Sequence, residues 1–203
     1  AICRTSYKKI FRKSTKTIEP ITCSKKQFIY NILNGKEDGY CWGYLFEKKV
    51  IRNLKFDENS SFMEDLEFLL RYVMQVDTVI SVNENSYYNY IDNSNGISSA
   101  KNHCLKKIKD VQYTLSKIEQ LLIENNYSDI HSLIDNKRIS MLNYLTQNMS
   151  HQEIAFIFKN DEICLLLNRV KKNKLSIKNK VFVDVIRKKN LFLFDIYKMT
   201  RRV

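Results

Sequence analysis

Four glycines and one proline in 203 residues leave this chain few places to turn sharply. Tight turns draw on those two residue types, glycine for positive φ and proline for its locked φ. Their scarcity favours long helices joined by polar breaks and disfavours an all-β fold. Hydrophobic residues make up 44% of the chain and aromatics 12%, so it is globular and holds enough apolar material for one or two domains with a sizeable core.

Periodicity sketches the elements. Residues 1–11 read as a short strand that ends in a basic stretch, Lys8 to Lys16. Phe28, Ile29, Ile32 and Leu33 repeat at helical spacing behind Ser24, and Asn34-Gly35 ends that helix. Tyr40, Trp42, Tyr44 and Phe46 form an aromatic segment that leads into a short helix near Lys48 to Asn53. A helix is expected over Phe62 to Met74, with Ser61 and Glu64 at the spacing of a capping box. Thr78 to Val82 and Tyr87 to Tyr90 read as two strands, and Asp92 to Gly96 as a loop. From Ser99 the pattern is helical throughout, with helices over Ser99 to Asn125, Ser128 to Asn148 and His151 to Asn168, then a basic tail. The expected class is α+β, mostly α: a partial mixed sheet flanked by helices over residues 1–98, then an α-helical region over 99–203.

Several classes of protein are disfavoured. The first residues, Ala1-Ile2-Cys3-Arg4, resemble an internal strand and lack the charged and apolar regions of a secretory signal. Apolar runs such as Leu191 to Phe194 are far short of the roughly 20 residues that a spanning helix needs. The cysteines, Cys3, Cys23, Cys41, Cys104 and Cys164, are odd in number and form no C-x-x-C pair, which suits free thiols in a reducing compartment. His103, His131 and His151 lie on separate segments without ligand spacing, so no metal site is expected from them.

The net charge of +12 is unevenly placed. Residues 164–203 hold twelve Lys or Arg against only Asp184 and Asp195, a net of +10. Val181, Phe182, Val185 and Ile186 mark a helical stripe in that tail, and Phe192, Ile196 and Met199 continue one. Lys171, Lys172, Lys174, Lys178, Lys180, Arg187, Lys188 and Lys189 stand between and beside them. A basic amphipathic helix of this kind suits an anionic membrane surface, with the apolar face in the headgroup boundary and the cations on anionic lipid. The competing reading packs the stripe on the protein and leaves the cations as a solvated face. Nucleic acid is disfavoured as a partner, because no recognition module or interleaved stacking motif accompanies the charge.

One constellation carries chemistry. Trp42-Gly43-Tyr44-Leu45-Phe46-Glu47-Lys48-Lys49 is followed by Leu54-Lys55-Phe56-Asp57-Glu58, by Glu64-Asp65-Leu66-Glu67-Phe68, by Tyr87-Tyr88-Asn89-Tyr90 and by Gly96-Ile97-Ser98. In order and spacing, over roughly residues 20–98, this series resembles family 2 glycosyltransferases of the GT-A fold, of the type that builds bacterial surface polysaccharides. The resemblance implies inverting transfer from a nucleotide sugar to an acceptor hydroxyl in capsule, lipopolysaccharide or wall-polymer synthesis. Such transfer needs a carboxylate within hydrogen-bond reach of that hydroxyl. The resemblance puts this role on Asp65, with Glu64 orienting it or touching the acceptor. A first helical turn favours negative charge, though ordinary helices use acidic residues there too. Trp42 offers a flat face to a sugar ring, or equally to the core.

The departures from the family's pattern are specific. Tyr44 stands where the family often has Lys, Ile91 where it often has Arg or His, and Gly96 where it has Ser. The chain contains no Asp-x-Asp, the family's holder of the divalent metal on the donor diphosphate, and no Gly-rich phosphate loop. The resemblance therefore implies a longer enzyme whose upstream half binds the nucleotide sugar with Mn²⁺ or Mg²⁺. The present chain would carry no cofactor and would be inactive alone. Its expected partners are a lipid-linked or oligosaccharide acceptor and the inner face of a membrane, reached from the cytoplasm. The alternative is a non-catalytic module that binds an anionic membrane surface or nucleic acid through its basic tail.

Overall fold

A computed structural model describes residues 2–11, 14–18, 22–90 and 103–200. In chain order it has β1 (Ile2–Phe11), β2 (Ser14–Ile18), β3 (Cys23–Ser24), α1 (Lys25–Leu33), β4 (Tyr44–Phe46), α2 (Lys48–Ile51), α3 (Glu64–Met74) and β5 (Thr78–Tyr90). Helices then follow without further strands among the described residues: α4 (Cys104–Glu124), α5 (Ile130–Thr146), α6 (His151–Lys159), α7 (Asp161–Arg169), α8 (Ile177–Arg187) and α9 (Leu191–Thr200). The architecture is mostly helical α+β: a mixed sheet with helices, then a helical C-terminal region. The expected Asp92–Gly96 loop, Ile91, the Gly96-Ile97-Ser98 motif and the boundary at 98/99 lie outside the described residues.

The sheet is built on β1. Its path is β2-β1-β5-β3, and β4 pairs with β1 as well. β1 and β5 run parallel from Ile2↔Val79 to Ile10↔Tyr90, while β2 and β4 pair antiparallel with opposite ends of β1. Two expectations change here. The described residues of the basic stretch Lys8 to Lys16 lie on two antiparallel strands, with Lys8 opposite Thr17 and Lys9 opposite Lys16. The two strands expected over Thr78–Val82 and Tyr87–Tyr90 are one strand. Its register slips against β1 twice, between Thr5 and Ser6, where Val82 is followed by Asn85 in the pairing, and between Ser6 and Tyr7, where Asn85 is followed by Tyr87. The gap between the two expected strands is thus an irregularity within a continuous strand.

Local signals set most helix ends. Ser24 accepts a hydrogen bond from Gln27 N at 3.2 Å and starts α1. Gly35, at φ +70°, ends α1 with N–H bonds from Gly35 to Ile32 O and from Lys36 to Asn31 O, the Schellman pattern. The single helix expected over His151 to Asn168 is two. Asn160 is extended (φ −76°, ψ 117°), closes α6 and turns its side chain to cap α7 at Ile163 N. The capping box expected from Ser61 and Glu64 does not form. α3 begins two residues later behind Met63, at φ 69°, and Ser61 instead donates through its N–H and Oγ to Asp110 on α4.

A continuous apolar core joins the sheet to the helices. Ile2, Phe28, Ile29, Leu69, Leu70 and Tyr72 fill the sheet side, and Leu115, Ile118, Ile134, Phe182 and Phe194 carry the same core through the helical region. At about 25 cal/mol per Å² of apolar surface, each such side chain contributes roughly 1.5–3 kcal/mol relative to an exposed one. Two packings position the site: α3 on α4, and α1 on α5.

Candidate functional site

A cleft of about 410 Å³ opens where the loop after α1, the start of α3 and one face of α5 meet. The loop lines it with Asp38, Tyr40 and Trp42, and α3 with Glu64 and Asp65. α5 lines it with Lys137, Met141 and Tyr144. Trp42, Glu64 and Asp65 were each expected at a site from their motifs, and the fold brings all three to one cleft, each half-buried.

The aromatic wall is ordered. The Tyr40 and Trp42 rings stack with centroids 5.0 Å apart and planes 15° apart. Tyr40 remains 41% exposed and Tyr144 48%, so the cleft presents aromatic surface to solvent beside carboxylates. Gly39 permits this arrangement. A Cβ there would lie 2.7 Å from Leu66 Cδ1 and 3.3 Å from Leu66 Cβ, so glycine lets the loop close on α3 next to Asp65 without displacing the Leu66 side chain.

The electrostatics are local and dense. Burial pushes the Cys41 thiol well up, with the Asp65 and then the Glu64 carboxylate adding to it, and that thiol donates to the Asp65 carbonyl at 3.5 Å. Burial likewise raises the Tyr40 hydroxyl, reinforced by Asp38, Tyr144 and Asp65. Asp38 is raised by burial, against the pull of Arg4 and Lys137. Lys137 is lowered by burial, against Asp38, and donates to Ile32 O at 3.3 Å. Beneath the loop, Arg4 of β1 and Glu37 form a buried ion pair, and Arg4 lies 5.5 Å over the Tyr44 ring. Tyr44 is itself buried and donates to Asp38 O at 3.2 Å, so the position that departs from the family pattern faces the core.

The acidic pair is held in place by the turn that precedes it. Asp57 accepts from Asn59 N at 3.0 Å, from Tyr113 Oη at 3.0 Å and from Lys117 Nζ at 2.5 Å, the last two on α4. Those donors hold its carboxyl far below the usual range. Phe56 stacks on Phe68 at 4.3 Å. Glu67, buried, takes both ends of a fork from Arg71 at 2.7 and 2.8 Å. Within the acidic run of α3, Glu67 is therefore structural, and Glu64 and Asp65 are the carboxylates that line the cleft.

Asp38, Tyr40, Lys137 and Tyr144 were not anticipated. A signal existed for the α5 residues: Lys137, Met141 and Tyr144 stand at i, i+4 and i+7 on one helical face. A larger cleft, about 850 Å³, lies among α4, α5, α6 and α7. Of its charges, Arg138 engages Glu119 and Asp135, and Arg169 engages Asp135, and it contains none of the motif residues.

The basic tail divides in two. Phe182 and Ile186 of the expected stripe are buried in the core, because α8 packs on α5 and α7, so that part follows the packed reading. Phe192, Ile196 and Met199 are exposed. Lys172 pairs with Asp184, and Arg187 donates to Leu167 O. Lys180 is half-buried, whereas Lys171, Lys174, Lys178, Lys188 and Lys189 are exposed. His131 contacts Glu119 and His151 contacts Asp195, and no disulfide joins the cysteines.

Among the described residues no group of three His, Cys, Asp or Glu side chains could hold a metal ion, and no helix is long and apolar enough to cross a membrane. Comparison with protein-family models, with curated proteins and with solved structures gives no match to this chain.

Proposed function

We propose that this chain is the acceptor side of an inverting glycosyltransferase of the family 2 type, and that the cleft binds the acceptor sugar. The observation that carries the reading is the meeting of a stacked aromatic pair, Tyr40 and Trp42, with the Glu64 and Asp65 carboxylates in one cleft. Sugars present apolar ring faces and a rim of hydroxyls. Aromatic faces cover the first, and carboxylates accept from the second.

In this role Asp65 accepts the proton of the acceptor hydroxyl as its oxygen attacks the anomeric carbon of the donor. The bond from that carbon to the nucleotide diphosphate breaks, and the diphosphate leaves with the bonding electrons. Attack opposite the leaving group inverts the configuration. Glu64 binds a neighbouring hydroxyl, and Trp42 backed by Tyr40 fixes the ring plane. Positioning of this kind keeps the attacking oxygen aligned. The described residues do not fit a divalent metal, so no step here passes through one. The donor and its Mn²⁺ or Mg²⁺ belong to a further half of a longer enzyme.

The test is made on the full open reading frame. An upstream half carrying Asp-x-Asp, metal-dependent turnover of a nucleotide sugar, and loss of that turnover in Asp65→Asn at unchanged folding are the expected results. Full turnover in Asp65→Asn would remove Asp65 from the chemistry. Absence of any sugar-nucleotide turnover would leave a binding module.

A further inference from the structure

We propose that the α8–α9 hairpin docks on an anionic lipid surface, entering it with the outward stripe of α9. This hairpin lines no part of the cleft that holds Trp42 and Asp65. Helix α9 is apolar on two sides. Phe194 and Tyr197 are buried against the protein, whereas Phe192, Ile196 and Met199 are 72%, 41% and 62% exposed. At 3.6 residues per turn, positions 192, 196 and 199 share one narrow stripe opposite 194 and 197. A helix apolar on both sides needs cover on both, and the described residues supply one. On α8, Ile177 and Val181 are also exposed, at 79% and 46%.

Charge selects the partner. The turn that feeds α9 carries Lys188 and Lys189, both exposed, and Lys171, Lys174 and Lys178 precede them. The two carboxylates of residues 164–203 are both engaged, Asp184 by Lys172 and Asp195 by His151. The net +10 of this segment therefore meets no uncompensated acid within it. A second copy of the chain would bring the same charge and be repelled. A nucleic acid would use the cations and offer Phe192 a base to stack on, but would leave Ile177, Ile196 and Met199 in water, since aliphatic side chains offer bases no stacking platform. Anionic lipid takes both, with the stripe in the headgroup boundary and the lysines on phosphates.

The experiment is co-sedimentation of the full chain with vesicles of equimolar phosphatidylglycerol and phosphatidylcholine, beside vesicles of phosphatidylcholine alone and a single-stranded RNA of matched phosphate concentration. Binding to the anionic vesicles, weakened by salt, and little binding to phosphatidylcholine are expected. The double variant Phe192→Ser/Ile196→Ser, at exposed positions and with circular dichroism as the folding control, should lower vesicle partition about tenfold or more. Lys188→Glu/Lys189→Glu should remove the preference for anionic lipid. No binding to anionic vesicles overturns the proposal. So does a Phe192→Ser/Ile196→Ser variant that binds like the parent, since charge alone would then be acting. Tighter binding to the RNA, unaffected by the apolar variant, overturns it in favour of nucleic acid.

Discussion

Asp57 holds Lys117 at 2.5 Å across 60 residues of chain, and so ties the turn before the acidic pair to the middle of α4. With Tyr113 on the same oxygen and Ser60 on Thr114 at 2.9 Å, this turn is fixed to the helical region before α3 begins. Glu64 and Asp65 inherit their position from that attachment.

Asp57→Ala should lower stability by about 2 kcal/mol at neutral pH, the scale of a lost set of hydrogen bonds to a charged group. The folded pKa of Asp57 is depressed. Its contribution is therefore present above the unfolded value, about 3.9, and is lost as pH falls below it toward the lower folded value. Urea denaturation of parent and variant should converge as the pH falls through this acid range. A gap that stays constant with pH would assign the loss to packing alone.

Gly39→Ala should destabilise the fold by about 1–3 kcal/mol, because the new methyl overlaps the Leu66 side chain at the wall of the cleft. Leu66→Ala alone creates a void, whereas Gly39→Ala with Leu66→Val should recover part of the loss. Thermal denaturation of the single and double variants reads this coupling.

Asp65→Asn should leave thermal stability within about 2 kcal/mol of the parent, the most that a partly buried first-turn charge contributes to a helix. In the longer enzyme it should cut kcat by about 10²–10⁴, the scale of a lost general base. Trp42→Ala should instead raise the KM for acceptor, since the stacked face binds the sugar ring and takes no proton. Steady-state kinetics on both variants separate the two roles.

The buried Arg4–Glu37 pair gives an asymmetric expectation. Glu37→Gln removes a carboxylate from a buried guanidinium and should cost about 3–5 kcal/mol, whereas Arg4→Met/Glu37→Leu should recover most of it. Denaturant titration of the two variants measures the difference.

Lys137→Met should hold or raise stability. Burial lowers the Lys137 pKa, so its charged form opposes folding, and parent stability should rise with pH through the folded value toward the unfolded one. The variant should lack that rise. Parallel pH titrations of denaturation check the sign.

Local patterning alone determined much of this protein. Ser24, Asn34-Gly35 and the apolar repeat between them set α1 almost to the residue, because a cap, a left-handed terminator and a helical stripe are all written within one short segment. The concentration of charge in residues 164–203 and the grouping of Trp42, Glu64 and Asp65 among motifs were equally legible. Tertiary structure decided the rest. Ser61 had the spacing to cap α3 yet bonds Asp110, a partner 49 residues away that offers a fixed carboxylate. Lys137 and Tyr144 join Trp42 and Asp65 only because α5 packs on α1. Phe182 is buried and Phe192 is exposed, although both sit in apolar stripes with neighbouring cations. Periodicity tells which residues share a face, and only the packing of other elements determines which face is covered.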